Sequence, residues 1–436
     1  MQNGETLKFD AMVVGGGIAG LAAALDLGDA GYRVAVVERD ATIGGKMIRL
    51  SKVFPTLDCA SCITTPKMAA AAHHPNITLL TMCRLDAVER QDGLLRAQVT
   101  QLPRYVDPEK CIGCRQCEYN CPVLVDDQEQ GGFTARKAIY IPFSNAIPQL
   151  ALIDRDHCMM CGKCSQVCPT GAVDQLQTEA PFVIEAGAVI LSTGFELMTD
   201  FPARAYGPPG LGDNVISSLQ MERLLAPHGP YMRVLRPGDG KEPESVAFIQ
   251  CAGSRDLQLG RPYCSRVCCM YAIKQAMLLS GALPLADLTI YYMDIRAFGK
   301  NYEQFYNNAK AMGVEFVKAK PVIAGNDPDG SVVLRYEDQE GGSGAVTRNH
   351  DLVVLSLAML PAFSPEGVAP LAAADDGFLA VPSPKLAPTL TEMEGVFTCG
   401  VAAGPKDIVD TIAEAGAAAM AAGKYLAARQ AGQAAA

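Results

Sequence analysis

The stretch KFDAMVVGGGIAGLAAALDLGDAGYRVAVVE (8–38) decides the fold. Residues 8–14 are apolar enough for a buried strand, and Gly15-Gly16-Gly17 ends it in a tight turn. IAGLAAALDLGDAG (18–31) then reads as a helix and RVAVVE (33–38) as a second strand, a βαβ opening. Within it, Gly15-x-Gly17-x-x-Gly20 has the spacing a pyrophosphate requires. Gly15 allows the turn, Gly17 lets backbone approach the phosphates, and Gly20 lets the helix lie close on the strand. The helix N-terminus favours the phosphate charge, and Glu38 stands where a ribose hydroxyl needs an acceptor. Three glycines alone are a weak signal. With strand, helix and acid in place, the competing reading, a glycine turn that holds nothing, loses most of its ground.

Three further segments favour FAD over NAD. Gly44-Gly45-Lys46 supplies a second glycine pair six residues after Glu38. Ser192-Thr193-Gly194 ends a late strand and Thr398-Cys399-Gly400 another, both similar to FAD-contact segments of thioredoxin-reductase-like flavoproteins. A second β–α region opens with SVAFIQCAGS (245–254). There Gln250-Cys251-Ala252-Gly253-Ser254 stands where a nicotinamide fingerprint would need its first glycine, so NAD(P)H binding is not expected.

Sixteen cysteines in 436 residues are the next constraint. Cys111-x2-Cys114-x2-Cys117-x3-Cys121-Pro122 and Cys158-x2-Cys161-x2-Cys164-x3-Cys168-Pro169 are two copies of the bacterial ferredoxin run, whose fourth cysteine ligates the other cluster. One [4Fe–4S] site is therefore expected from Cys111, Cys114, Cys117 and Cys168, the other from Cys158, Cys161, Cys164 and Cys121. Gly113 and Gly162 relieve the tight turns. Zinc favours paired C-x2-C units with four ligands per ion, which this double run fits poorly. His157 is more simply a solvated neighbour than a ligand. A secreted disulfide scaffold is opposed by the ligand spacing and by the start MQNGETLKFD, which has no signal-peptide pattern. A reducing, cytoplasmic setting fits better. The net charge of −10 opposes nonspecific nucleic-acid binding, and no apolar run is long enough for a membrane span.

Between these motifs the chain alternates strand and helix. FVIEAGAVILSTGFE (182–196) is strand-like, and residues 201–245, rich in Pro and Gly, read as loops. Residues 264–281 read as a helix, 288–296 as a strand, 301–313 as a helix, 325–350 as an exposed polar hairpin and 351–360 as a buried strand. A helix capped by Asp407 closes the chain, its run 413–422 rich in alanine. The expected fold is α/β: a two-dinucleotide-binding-domain flavoprotein, Rossmann-like and thioredoxin-reductase-like, with an inserted bacterial-type dicluster ferredoxin domain. The expected boundaries are 8–103, 181–200 and 386–430 for the FAD-binding domain, 104–180 for the ferredoxin insert and 201–385 for a second nucleotide-binding-like domain.

Four cysteines fall within 19 residues of that last domain: Cys251, Cys264, Cys268 and Cys269. Cys264 and Cys268, at i and i+4, are expected on one helix face. From spacing alone an unusually ligated [4Fe–4S] cluster and a set of buried free thiols are equally good readings. Cys59 and Cys62 form one more C-x2-C pair, readable as a flavin-side group, a redox dithiol, cluster ligands or structural thiols. Cys83 is most simply a core thiol, and at Cys399 the backbone matters more than the sulfur.

FPTLDCASC (54–62), QCAGSRD (250–256), YCSRVCCMYAIKQA (263–276), YMDIRAFGKNYEQFY (292–306) and GVAAGPKDIVDTIAEA (400–415) resemble the A subunit of heterodisulfide reductases in order and over nearly the whole chain. The resemblance implies a third [4Fe–4S] cluster on Cys251, Cys264, Cys268 and Cys269. It implies a catalytic place beside the flavin for Lys274, against a plain surface helix lysine as the bland reading. It also adds Gly400, Asp407 and Ile408 to the FAD set of Gly15, Gly17, Gly20, Glu38, Gly44, Gly45, Lys46, Thr193 and Gly194. Larger members of the family carry an N-terminal extension with its own cluster and a C-terminal ferredoxin module, and neither is expected here. Flavin subunits of quinone-interacting oxidoreductases and benzoyl-CoA reductases are similar too. The implied function is an oxidoreductase subunit that takes two electrons at FAD and relays single electrons through the clusters, with flavin-based bifurcation as an open variant. Its implied partners are the other redox subunits of a heterodisulfide reductase-like complex, with ferredoxin as a candidate. A homodimer within the complex is a further candidate, and any membrane association would run through partners. The alternative is a stand-alone flavin/dithiol oxidoreductase reducing a disulfide or polysulfide through Cys59 and Cys62.

Overall fold

The computed structural model describes residues 4–206, 211–339 and 344–434. They fall into two compact units. The first takes the chain up to Ile48, Ile63–Phe195 and Pro361 onward; the second takes Arg49–Cys62 and Glu196–Leu360.

The first unit is built on the strand Thr6–Val14. Val34–Glu38 pairs with it in parallel on one side and Ala180–Leu191 on the other. Ile77–Thr81 extends the sheet beyond Val34–Glu38, also in parallel. The far end of Ala180–Leu191 receives Val396–Thr398 in parallel, while its near end runs antiparallel to Leu94–Gln101. Every residue of Val34–Glu38 is buried, as expected of a parallel strand covered on both faces. The helix Ile18–Asp29 and the long helix Ile408–Ala434 share one core through small residues: Ala22 and Ala23 of the first, and Ala415, Ala418 and Ala422 of the second. Alanine at those positions lets two helices and a sheet approach closely.

The cysteine-rich insert belongs to this same unit. Its two short helices, Gln116–Asn120 and Lys163–Val167, hold equivalent places in the two cysteine runs, and two small hairpins lie between them. The Ile43 N–H donates to Ile147 O at 3.0 Å, and the Ile147 N–H donates to Thr42 Oγ1 at 2.8 Å. The buried Arg104 guanidinium donates to Ala41 O and Thr81 Oγ1 at 3.1 and 3.0 Å. Apolar residues of the insert, among them Val106, Ile139 and Ile153, continue the core of the flavin-type sheet.

The second unit holds, among the described residues, a five-stranded parallel sheet in the order Val215–Ser217, Leu352–Leu357, Ser245–Ala252, Asp287–Tyr292, Glu315–Lys318. A three-stranded antiparallel sheet (Val322–Asn326, Val332–Glu337, Ala345–His350) stands where the sequence suggested a polar hairpin. Residues 340–343 of that stretch lie outside the described residues.

Two expectations are corrected. The stretch 201–245 is not all loop: Phe201–Tyr206 and Ser218–Leu225 are helices and Val215–Ser217 is a strand. Ser217 and Gln220 form a reciprocal capping box, so two backbone donors are satisfied at the start of Ser218–Leu225 despite the flanking Pro and Gly. The helix expected over 264–281 begins only at Cys268. Arg266 is left-handed (φ 59°) and Val267 N–H turns back to Ser265 O, so Cys264 lies in a turn and shares no helix face with Cys268.

Candidate functional site

The glycines of the opening motif are packed as tightly as the sequence implied. A Cβ on Gly20 would stand 1.9 Å from Gly15 O, and one on Gly15 would stand 2.4 Å from Ser192 O. Gly15 (φ 102°) also needs a conformation that L side chains avoid. The second glycine pair folds onto the first: Gly44 N–H donates to Gly16 O at 2.8 Å, and a Cβ on Gly45 would lie 2.9 Å from Gly17 Cα. Gly400 joins from the end of Val396–Thr398, where its Cβ would meet Ala19 Cβ at 2.8 Å. Gly194 (φ 74°) follows Ser192, whose Oγ donates to Val14 O and Gly15 O. Lys46 lies over the Phe195 ring, 5.2 Å from its centroid. Asp407 caps the last helix, its Oδ1 accepting from Asp410 N–H at 2.8 Å, and Ile408 is the first residue of that helix.

Glu38 is held toward the turn. Its Oε2 accepts from Gly16 N–H at 2.6 Å and its Oε1 from Asp40 N–H at 2.8 Å. Burial, with Asp40 nearby, pushes its carboxyl above the ordinary range despite those two donors. The bare backbone at Gly15, Gly17, Gly20 and Gly45, around the first turn of Ile18–Asp29, fits a pyrophosphate.

In the insert, cysteines from both runs meet. Cys111, Cys114, Cys117 and Cys168 line one pocket. Cys121, Cys158, Cys161 and Cys164 line another. Each set takes three thiols from one run and the fourth from the other. Backbone N–H groups point at sulfur, Met160 at Cys158 and Ala172 at Cys168, as thiolate-bound clusters use to tune their charge. Among the described residues no three His, Cys, Asp or Glu side chains converge on the position of a single metal ion. Each set instead lines one pocket, the grouping of four thiolates that a cubane needs. His157 is exposed and its Nδ1 lies 3.0 Å from Asp154 Oδ2.

The third cysteine group lies in the second unit. Cys251 is the next-to-last residue of the strand Ser245–Ala252 and has a left-handed backbone (φ 56°), and Cys268 and Cys269 open the helix Cys268–Ala282. Both Cys268 and Cys269 lie within the electrostatic reach of Cys251 and Cys264. Burial pushes the Cys251 thiol up and the Cys269 thiol up to about 11. Arg255 bonds both Cys251 and Asp294, and Arg266 N–H points at Cys264 Sγ at 3.3 Å. An isolated thiolate is costly at such buried positions, so a bound cation would be needed to hold these sulfurs as thiolates.

Lys274 belongs to the same helix, and it is no surface lysine: its side chain is 2% exposed. Its Nζ pairs with Glu222 and donates to Lys52 O at 2.9 Å. Glu222 also accepts from Ser51 N–H at 3.0 Å, Ser51 Oγ at 2.8 Å and the Gln275 amide. Burial draws the ammonium below the ordinary lysine value against the pull of Glu222. Burial alone would raise Glu222, but Lys274 and the three hydrogen bonds hold it below the ordinary carboxylate range. Glu222 was not legible as a site residue. The Ser217-x-x-Gln220 box is the sequence signal that could have placed it on a helix.

Cys83 and Cys399 are buried thiols, each pushed up to about 12 by burial. No helix among the described residues is long and apolar enough to cross a membrane.

A family model described as FAD dependent oxidoreductase matches residues 10–101, and one described as 4Fe-4S dicluster domain matches 110–173. The chain is 43% identical over 422 residues to the A subunit of the H(2):CoB-CoM heterodisulfide,ferredoxin reductase of Methanothermobacter marburgensis. It is 43% identical over 416 residues to the iron-sulfur A subunit of the CoB--CoM heterodisulfide reductase of Methanocaldococcus jannaschii. Each match covers 94% of this chain and 63% of the relative, so the chain spans less than two thirds of those proteins. Thioredoxin reductases share the fold. That of T. acidophilum superposes with TM-score 0.53 at 13% identity, over 95% of this chain and 97% of its own. That of Lactococcus lactis gives 0.52 at 13%, over 96% and 99%. With a thioredoxin-reductase-like fold, a dicluster insert and this identity along nearly all of its length, the chain belongs to the FAD/iron–sulfur flavoproteins of the heterodisulfide reductase family, in the line of their A subunits.

Proposed function

We propose that this chain is the electron-transfer subunit of a heterodisulfide reductase-like complex. It would hold FAD at Gly15, Gly17, Gly20, Glu38, Gly44, Gly45, Lys46, Thr193, Gly194, Gly400, Asp407 and Ile408. Two [4Fe–4S] clusters would sit in the crossed thiol sets of the insert, and a third on Cys251, Cys264, Cys268 and Cys269. Bound flavin exchanges electrons in pairs or singly, and cubanes carry them singly. The residues supply the rest. The glycine cradle and the N-terminus of Ile18–Asp29 bind the pyrophosphate, and Glu38 orients a ribose. Lys274, held by Glu222, offers a fixed positive charge for an anionic reduced flavin. The thiols and the N–H groups aimed at them set the charge around each cluster. Electron bifurcation between two acceptors, and docking to further redox subunits or a ferredoxin, belong to this proposal.

The observation that carries it is the pair of thiol-lined cavities, each completed by the other run's fourth cysteine, in the same compact unit as the dinucleotide cradle. The test is anaerobic purification with iron and flavin counted per chain, alongside Cys264→Ala. About twelve iron and one flavin, falling to about eight iron in the variant, are expected for three cubanes. About eight iron in both would remove the third cluster.

A further inference from the structure

Cys59 and Cys62 stand apart from the twelve cysteines assigned to clusters. Cys59 immediately precedes the helix Ala60–His73, and Cys62 lies in its first turn. The Cys62 N–H points at Cys59 Sγ at 3.2 Å, and the two thiols are hydrogen-bonded to one another. Sulfurs held so close can be bridged with little backbone movement. Cys59 is fixed from the other side by an antiparallel bridge between its backbone and that of Lys52. The pair is not core: Cys62 is exposed and Cys59 partly so.

We propose that Cys59 and Cys62 form a reversible dithiol–disulfide couple that exchanges with small-molecule disulfides, Cys59 attacking and Cys62 resolving. The two sulfurs are unequal in the required sense. The Cys62 thiol, then the N–H groups of Cys62 and Ser61 and the Lys52 charge, pull Cys59 below the ordinary thiol value, while Cys62 is held above it. The lower of two coupled thiols supplies the thiolate. In the first step Cys59 Sγ attacks one sulfur of R–S–S–R, that S–S bond breaks, and one RS⁻ leaves to take a proton from water. In the second, Cys62 gives up its proton to solvent and attacks Cys59 Sγ, expelling the other RS⁻. The dithiol loses two electrons and two protons, and the small disulfide becomes two thiols.

The probe is oxidised glutathione, applied anaerobically to the flavin- and cluster-loaded chain in buffers of varied glutathione ratio. Acid quenching, alkylation and peptide mass spectrometry follow. A Cys59–Cys62 disulfide is expected in the wild-type chain, rising with the oxidised fraction. Cys62→Ser should accumulate glutathione on Cys59. Cys59→Ser should react at Cys62 at least about tenfold more slowly, as a thiol without its lowered partner does. Iron and flavin content should be unchanged in both variants. The proposal is overturned if the wild-type chain forms no such disulfide at any ratio, or if Cys62 reacts as fast without Cys59. It is equally overturned if either variant loses iron, which would make the pair cluster ligands. The wild-type measurement decides even where a variant folds poorly. Failure here leaves the electron-relay reading intact, because that reading rests on iron and flavin counts.

Discussion

The eight cysteines of the insert and the group Cys251, Cys264, Cys268 and Cys269 stand in opposite settings. In the insert each thiol set mixes one buried sulfur, Cys117 or Cys164, with an exposed one, Cys114 or Cys161. In the four-cysteine group of the second unit, Cys251, Cys268 and Cys269 are buried and Cys264 is partly open. Solvent exposure and hydrogen bonds to sulfur are main determinants of cluster potential. On the function proposed above, the more open insert would exchange electrons with a partner and the buried group would act within the chain.

The largest test of that contrast is loss of a whole cluster. Cys117→Ala and Cys268→Ala should each lower the count by about four iron atoms, one cubane's worth. In the unmutated chain a hydrophilic iron chelator should bleach the insert first, at least about tenfold faster, since attack needs access. Bleaching of the buried site first would break the comparison.

Charges sharpen it next. Glu222→Ala strands the buried Lys274 ammonium and should cost roughly 3–5 kcal/mol in urea unfolding. Glu118→Ala, which breaks the part-exposed Arg115–Glu118 pair of the insert (2.8 Å), should cost below about 1 kcal/mol. Equal costs would show that the second unit does not shield its charges better than the insert.

The third test is pH. His350 is fully buried in the second unit, with Nε2 3.0 Å from Tyr291 Oη, and burial lowers its pKa to about 4. An unfolded histidine titrates near ~6.5, so between those values the unfolded chain binds the extra proton. Stability is then full above the unfolded value and falls as pH drops toward the folded one. About 3 kcal/mol should be lost across that window, at ~1.4 kcal/mol per pH unit. His350→Leu should lose that slope; a variant with the wild-type acid slope would assign the loss to other groups.

The smallest effect compares the two halves of the insert. Gly113 (φ 67°) and Met160 (φ 56°) hold equivalent places, as do Arg115 (φ 59°) and Gly162 (φ 70°). Each repeat thus spends its glycine at a different left-handed position. Met160→Gly should stabilise the insert by about 1 kcal/mol, read as a higher midpoint for cluster loss. Gly113→Ala should do the reverse, because its Cβ would stand 2.7 Å from Gln149 O.

The legible part of this protein is the part written in local spacing. Gly15, Gly17, Gly20 and Glu38 lie within one βαβ unit, and the eight cysteines of the insert lie in two short runs, so chain geometry brings each group together with few choices. The unread parts depend on distant chain. Ser218–Leu225 was hidden in a Pro/Gly-rich stretch because composition outweighed one capping box. The i and i+4 spacing of Cys264 and Cys268 suggests one helix face but does not reveal the left-handed Arg266 between them.

By itself, then, the sequence determined the dinucleotide cradle and the crossed thiol sets, since steric exclusion at glycine and ligand spacing act over a few residues. Only the tertiary structure decided that Arg49–Cys62 leaves the first unit for the second. That excursion lays Ser51 and the Lys52 carbonyl against Glu222 and Lys274, residues some 170 to 220 positions away. A buried lysine and carboxylate are stable only when each finds its partner and its hydrogen bonds, and that condition is met by packing between segments, which no local pattern encodes.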